Sequence, residues 1–467
     1  MLNSKFKPAF KHALYASFVW LLSGLAHANL PIESWTTPTG TRVLFVRAAA
    51  IPMLDINIDF DAGGQFAPIN KTGVAGLTLE LLDKAAKVNG QPSDQIKNEN
   101  ELADAFADLG AILTGRASIE RASVQLRTLS HPAERDQAIA LLAAILQQPQ
   151  FPESVLAREK ANLIAALREA ETRPESLLDR HFSALLYPNH PYGYRPTPES
   201  VAQITVADLQ AFYQAHYSAP RAVISMIGNL TRAEAETIAQ QLTANLPTGI
   251  TRPAIPAVPT PQDTPQRAQL KRVTHPASQA HIAMGLPAAV RGDPDYFPLL
   301  VGNYVLGGGG FVSRLMHEVR EKRGLAYSVY SYFDPRALPG PFQIGLQTKK
   351  EQAEQALQVV NQTLAQFLNQ GPTASELTAA KQNLVNGFPL RIDSNRKLLD
   401  NLAMIGFYKL PLNYLDEWTA QVERVTLAEI RAAFQRKVPL NQLSTVIVGA
   451  AMETETGSGA ATPATPK

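Results

Sequence analysis

The chain has 467 residues, 45% hydrophobic and 18% charged, with 28 Gly, 34 Pro and no Cys. That composition excludes collagen, coiled coil and wholesale disorder, and a length beyond the roughly 250–300 residues at which single cores stop growing implies at least two folded units. With 43 basic against 41 acidic residues there is no electrostatic footprint for a polyanion, so nucleic acid is not an expected partner, and the lack of cysteine removes disulfides, thiolate nucleophiles and Cys-ligated metal.

In chain order, residues 1–28 read as a signal peptide. Lys5, Lys7 and Lys11 form a positive n-region, Ala13–Ala26 an apolar run, and Ala26-His27-Ala28 a small-x-small cleavage site. Cleavage after Ala28 and export, most simply to a bacterial periplasm, are expected. The apolar run is shorter than the roughly 20 residues of a spanning helix, and no later stretch reaches that length, so no membrane span is expected in the mature chain.

LDINIDFDAGG (Leu54–Gly64) alternates as a half-buried strand. Asp55, Asp59 and Asp61 fall on its polar face and, without a Gly-punctuated ligand loop, read as sheet surface and not as a cation site. TVADLQAFYQAHYSAPRAVISMIGNL (Thr205–Leu230) is an amphipathic helix with a Thr N-cap and an acidic third residue, then a turn and an apolar strand. Six prolines punctuate Leu246–Gln266, which reads as a semi-rigid linker over 247–268 that permits a hinge. Beyond it, AHIAMGLPAA (Ala280–Ala289) alternates like Leu54–Gly64, and TLAEIRAAFQRKVPLNQLSTVIVGAA (Thr426–Ala451) repeats the earlier helix and strand. Thr205 matches Thr426 and Gly228 matches Gly449. The expected organisation is one duplicated domain, 29–246 and 269–452, each half an α+β sandwich, with residues 453–467 a disordered tail.

The richest segment is LGGGGFVSRLMHEVREKRGLAYSVYSYF (Leu306–Phe333). Gly307, Gly308, Gly309 and Gly310 allow a tight turn or a close backbone approach. A helix follows with Leu315 and Val319 on one face and Arg320 near its end, then a strand carrying Tyr327. Tyr330 and Tyr332 are read as packing residues divided between the sheet faces. Ser313 lacks a His and acid arranged near it, so it is not read as a nucleophile.

This segment resembles the second-half signature of the insulinase and pitrilysin superfamily, the inverzincin metallopeptidases that include mitochondrial processing peptidase. The resemblance extends to HPYGYRPTPESVAQITVADLQAFYQAHYSAPRAVISMIGNL (His190–Leu230) and TGVAGLTLELLDKAAK (Thr72–Lys87), and spans residues 37 to 451. It implies two mitochondrial processing peptidase-like α/β sandwich domains in a clamshell. Active members carry H-x-x-E-H on the first-half helix, two zinc ligands and a general base, with a Glu ligand downstream. The matching positions here are Gly76, Leu79 and Glu80, so both imidazoles and the base are gone; Glu159, at about the third-ligand position, reads as a solvated helix carboxylate. The nine His are at 12, 27, 131, 181, 190, 216, 275, 281 and 317, and no two are three or four apart, so no helix presents a two-His metal face. Arg320 and Tyr327 match the pair that reaches the substrate in active members. A guanidinium can hold a peptide carbonyl or carboxylate, and a phenol can donate to a developing oxyanion.

The expectation is therefore a non-catalytic subunit that binds no cofactor itself. A homologous partner bearing H-x-x-E-H would supply zinc in a heterodimer, and Arg320, Tyr327 and the Gly307–Gly310 run would help hold short unfolded peptides, extended along an exposed strand edge of the first half. The alternatives are a peptide-binding scaffold without hydrolysis and an autonomous peptidase with an unorthodox site.

Overall fold

The computed structural model describes residues 31–88, 96–249, 252–259 and 268–449. The expected signal peptide and C-terminal tail lie outside the described residues. In the first half, β1 (Glu33–Thr36), β2 (Arg42–Arg47), β3 (Met53–Phe60), β6 (Ile112–Ala117), β7 (Ala122–Leu129) and β8 (Val223–Gly228) form one sheet, ordered β1-β2-β8-β3-β7-β6; β4 (Ala85–Lys87) and β5 (Ile96–Asn98) pair separately. In the second half, β9 (Leu270–Val273), β10 (Gln279–Ala289), β11 (Ala326–Phe333), β12 (Gly340–Lys349) and β13 (Ser444–Val448) form another, ordered β11-β12-β10-β13-β9.

The two sheets have one topology. Each contains a single parallel pair, β2 with β8 and β9 with β13, and every other pairing is antiparallel. Thus β3 corresponds to β10, β7 to β12 and β6 to β11, with β1 an addition at one edge. The repeated residues do the same work in both copies. Thr205 and Thr426 close capping boxes with Asp208 and Glu429, satisfying two otherwise orphaned N–H groups at each helix start. Gly228 and Gly449 each pass so close to a neighbouring strand that a Cβ would strike its backbone, at Met53 and Gln279 respectively. Only glycine fits either place.

Along β3, Leu54, Ile56 and Ile58 enter the first-half core, while Asp55, Asn57 and Asp59 face the other way. That polar face is not open to solvent. The second-half helix Asn395–Phe407 lies across β2, β3 and β8, and its Ile405, Leu399 and Leu402 pack on Leu44, Val46 and Ile227. The arrangement is reciprocal: the first-half helix Pro174–Leu186 lies across β10 and β13, with Phe182 and Leu186 against Ala283, Val446 and Val448. Each fully buried large apolar side chain is worth about 1.5–3 kcal/mol, so the exchanged helices bind the halves firmly. The described linker residues, 252–259, have no regular structure but dock on the body. Val258 is buried, the Pro256 carbonyl lies 3.0 Å from His190 Nε2, and Arg252 pairs with Asp61 at 2.9 Å.

Candidate functional site

A crevice of about 1130 Å³ opens between the halves. Its first-half wall is the short helix Val74–Glu80, the end of β6, the β6–β7 turn and the helix Glu153–Ala170; its second-half wall includes Arg291, Arg336 and Tyr408. Gly76, Glu80 and Glu159 line it, as the resemblance implies, whereas Leu79 is buried in the first-half core against Gly115. A side chain at Gly76 would meet nothing within 4 Å, so the place of one imidazole is open space. The Glu80 side chain is 57% exposed, 3.7 Å from Lys84. Burial pushes the Glu159 carboxyl up, but hydrogen bonds from Arg158 (2.8 Å) and Asn162 (3.2 Å) outweigh it and hold the carboxyl below its ordinary range.

Zinc is the ion this fold family implies, and the residues do not fit it. Two carboxylates without an imidazole remain where two His and a Glu are needed, one of them already held by an Arg and an Asn, and among the described residues no three His, Asp or Glu side chains gather as a metal site. The Asp55, Asp59 and Asp61 row belongs to the polar sheet face expected of it. Asp59 is fully buried, which raises its carboxyl, and it accepts hydrogen bonds from Arg121 at 2.9 Å and Ser123 at 2.5 Å.

Glu120, a residue without a sequence signal, also lines the crevice and is buried. Its carboxylate accepts from the Tyr192 hydroxyl, from the Tyr408 hydroxyl at 2.5 Å and from the Ala337 amide at 2.9 Å. Tyr408 lies 288 residues away in sequence, so only the tertiary fold brings this node together.

Arg320 and Tyr327 stand elsewhere, outside the residues lining the crevice. Tyr304–Gly308 form a π-helical turn and Gly310–Val312 a 3₁₀ turn. Gly307 is pressed against Ser331 of β11, and Gly310 has φ +60°, so a side chain is barred at the first and strained at the second. Ser313 donates to the Gly310 carbonyl at 2.7 Å, the role of a cap. The following segment is again π-helical over Met316–Glu321, anchored by the expected Leu315 and Val319. It sets the Arg320 guanidinium between two rings, Phe311 at 4.8 Å and Tyr327 at 5.1 Å. Phe311, Val312 and Tyr327 are 65%, 75% and 81% exposed, leaving the pair on an open apolar surface.

One expectation on this strand is corrected. Tyr330 and Tyr332 are not divided between the sheet faces; they stack on one face with ring centroids 6.1 Å apart, because two residues is the strand repeat and the β-bulge between Ala326 and Val329 precedes both.

Fold and site together define a class: a duplicated α+β protein of metallopeptidase architecture whose zinc positions have lost their ligands. Residues 42–196 match the insulinase (peptidase family M16) model, and residues 203–384 match the model described as the peptidase M16 inactive domain. The chain is 36% identical to the crystal structure of a peptidase M16 inactive domain from Pseudomonas fluorescens, with a TM-score of 0.84 over 90% of this chain and 98% of that one. It is 27% identical to the non-peptidase homolog YmxG of Helicobacter pylori (87% of this chain, 91% of the relative) and 24% identical to the uncharacterized zinc protease YmxG of Bacillus subtilis (85% and 94%). The chain belongs to the insulinase family, peptidase family M16, and carries Gly76, Leu79 and Glu80 where the H-x-x-E-H motif of active members stands.

Proposed function

We propose that this chain is the non-catalytic subunit of an exported, periplasmic two-chain zinc peptidase, lending Arg320 and Tyr327 to a peptide held at the zinc site of a partner bearing H-x-x-E-H. The observation that carries the reading is a separation. The pair is set side by side, Tyr327 exposed and Arg320 half-buried, yet lies apart from the crevice where this chain's own zinc positions stand. A guanidinium steadied by two rings and an open phenol are suited to holding a peptide backbone and a developing oxyanion supplied by another chain. The Phe311 and Val312 side chains provide the apolar surface such a chain would cover. The signal-peptide pattern supports the compartment.

The test is to recover the tagged chain from its native host and measure co-purifying chains and zinc together. Near-equimolar recovery of an H-x-x-E-H chain with about one zinc per pair is expected. In that complex Arg320→Ala should lower peptide turnover about 100- to 1000-fold, the usual scale for losing a transition-state donor, and leave zinc content unchanged. Unchanged turnover would overturn the shared-site reading. A second reading, a peptide-binding scaffold without hydrolysis, is favoured by the size of the crevice and the exposed β6 edge beside it; it predicts bound peptide that is never cut.

A further inference from the structure

Most crevice arginines are spoken for. Arg121 pairs with Asp59 at 2.9 Å, Arg195 with Asp179 at 3.0 Å and Arg336 with Asp334 at 2.8 Å. Arg116, which is exposed, and Arg291 have no carboxylate or hydrogen-bond acceptor among the described residues, and of the two only Arg291 keeps a buried donor, its Nε, without a partner. A buried donor left unmade is costly, and native proteins seldom keep one without use. Nor is Arg291 a loose surface side chain. Its amide donates to the Arg336 carbonyl at 2.7 Å, its neighbour Val290 bridges Arg336, and its guanidinium lies 5.3 Å from the centre of the Tyr408 ring. It lines both the crevice and an adjoining recess of about 500 Å³ walled by Tyr296, Phe297 and Tyr414.

The anions nearby do not supply the missing partner. Glu120 is engaged by two phenols and an amide, and Asp334 by Arg336. On the opposite wall β6 ends the first sheet, its outer edge unpaired among the described strands and its residues mostly exposed, and Arg116 and Ala117 carry that edge into the crevice. An unpaired strand edge recruits an extended backbone, and a planar guanidinium fork takes a carboxylate in two parallel bonds.

We propose that Arg291 is the anchor for a peptide carboxylate, so that the crevice of this chain takes an extended peptide whose carboxylate is held by the Arg291 guanidinium beside the Tyr408 ring. The carboxylate comes from a chain terminus or from an acidic side chain, and the site operates in the single chain whether or not a partner subunit exists.

The experiment uses the purified chain and a dye-labelled eight-residue Ala/Ser peptide in three forms: the free acid, its C-terminal amide, and the amide carrying one Glu. Fluorescence anisotropy should give the free acid at least tenfold tighter than the plain amide. That preference should fall to about twofold or less in Arg291→Gln, and be only partly kept in Arg291→Lys, which retains the charge without the fork. Binding of the Glu-bearing amide at the level of the free acid would show that a side-chain carboxylate is taken as well as a terminus; binding at the level of the plain amide would restrict the site to the terminus. Equal affinity for acid and amide, absence of binding by all three, or a preference that survives in Arg291→Gln with an unchanged thermal midpoint would overturn the proposal. If Arg291→Gln does not fold, Arg291→Lys decides: it should lose at least threefold for the free acid and nothing for the amide.

Discussion

Two stretches between matching strands, one from β3 to β6 in the first half and one from β10 to β11 in the second, have diverged in opposite directions. In the first, the helix Val74–Glu80 faces the crevice and carries Gly76, Leu79 and Glu80 where active members carry H-x-x-E-H. In the second, the run through the glycines to Arg320 faces outward and is packed closely where it touches β11. Loss of chemistry left room in one slot, whereas retention of Arg320 and Tyr327 in the other came with tight backbone packing. Shape and function were therefore released separately, because the fold of each slot depends on its buried face and the chemistry on its open one.

The largest effect should come from refilling the first slot. His at positions 76 and 80 would be one helical turn apart beside Glu159, so the double variant Gly76→His, Glu80→His should retain about one zinc per chain through gel filtration, with an apparent Kd in the micromolar range or tighter. Metal content no higher than that of the parent would mean the slot has lost the ligand geometry as well as the ligands.

The next effect separates the halves by pH. His216 lies at 5% exposure, its ring 4.6 Å from Phe66 and 4.5 Å from Phe212, while the matching residue of the repeat, Lys437, pairs with Asp293 at 2.6 Å. Burial first, and the Arg221 charge second, lower the His216 imidazole from 6.5 to about 4. Between those values the unfolded chain binds a proton that the folded chain refuses. Stability is thus complete above pH 6.5, is lost as pH falls towards 4, and stays level below it, a loss of about 3 kcal/mol. Urea unfolding at pH 7 and 4.5 measures the slope, which His216→Gln should reduce, leaving the smaller share of His181, His190 and His281, whose imidazoles burial also lowers; a slope unaltered by that change would place the acid sensitivity elsewhere.

Two alanines test the packing contrast directly. Gly307→Ala should destabilise the chain by about 1–3 kcal/mol, since the new methyl lands on Ser331, and should also displace Arg320. Gly76→Ala enters open space within a helix and should stabilise it by about 0.5–1 kcal/mol. Thermal melts of the two variants would break the comparison if both shifted in the same direction.

The sequence by itself determined the duplication and the α+β class, and its resemblance to the insulinase family implied that Gly76, Leu79 and Glu80 stand where zinc ligands and base would be. The first two are local matters: capping boxes at Thr205 and Thr426 and alternation along Leu54–Gly64 follow from neighbours a few positions apart. The parity of Tyr330 and Tyr332 was equally open to view, but the bulge before them was not, because it is set by the partner strand. Only the tertiary structure decided that the halves exchange helices, that the polar face of β3 is covered, and that the linker docks through Val258. It alone joined Glu120 to Tyr408, buried the Arg291 Nε without a partner among the described residues and set Arg320 apart from the crevice. Those outcomes depend on contacts between residues hundreds of positions apart, where no periodicity or propensity carries information and only the summed packing of both halves selects the arrangement.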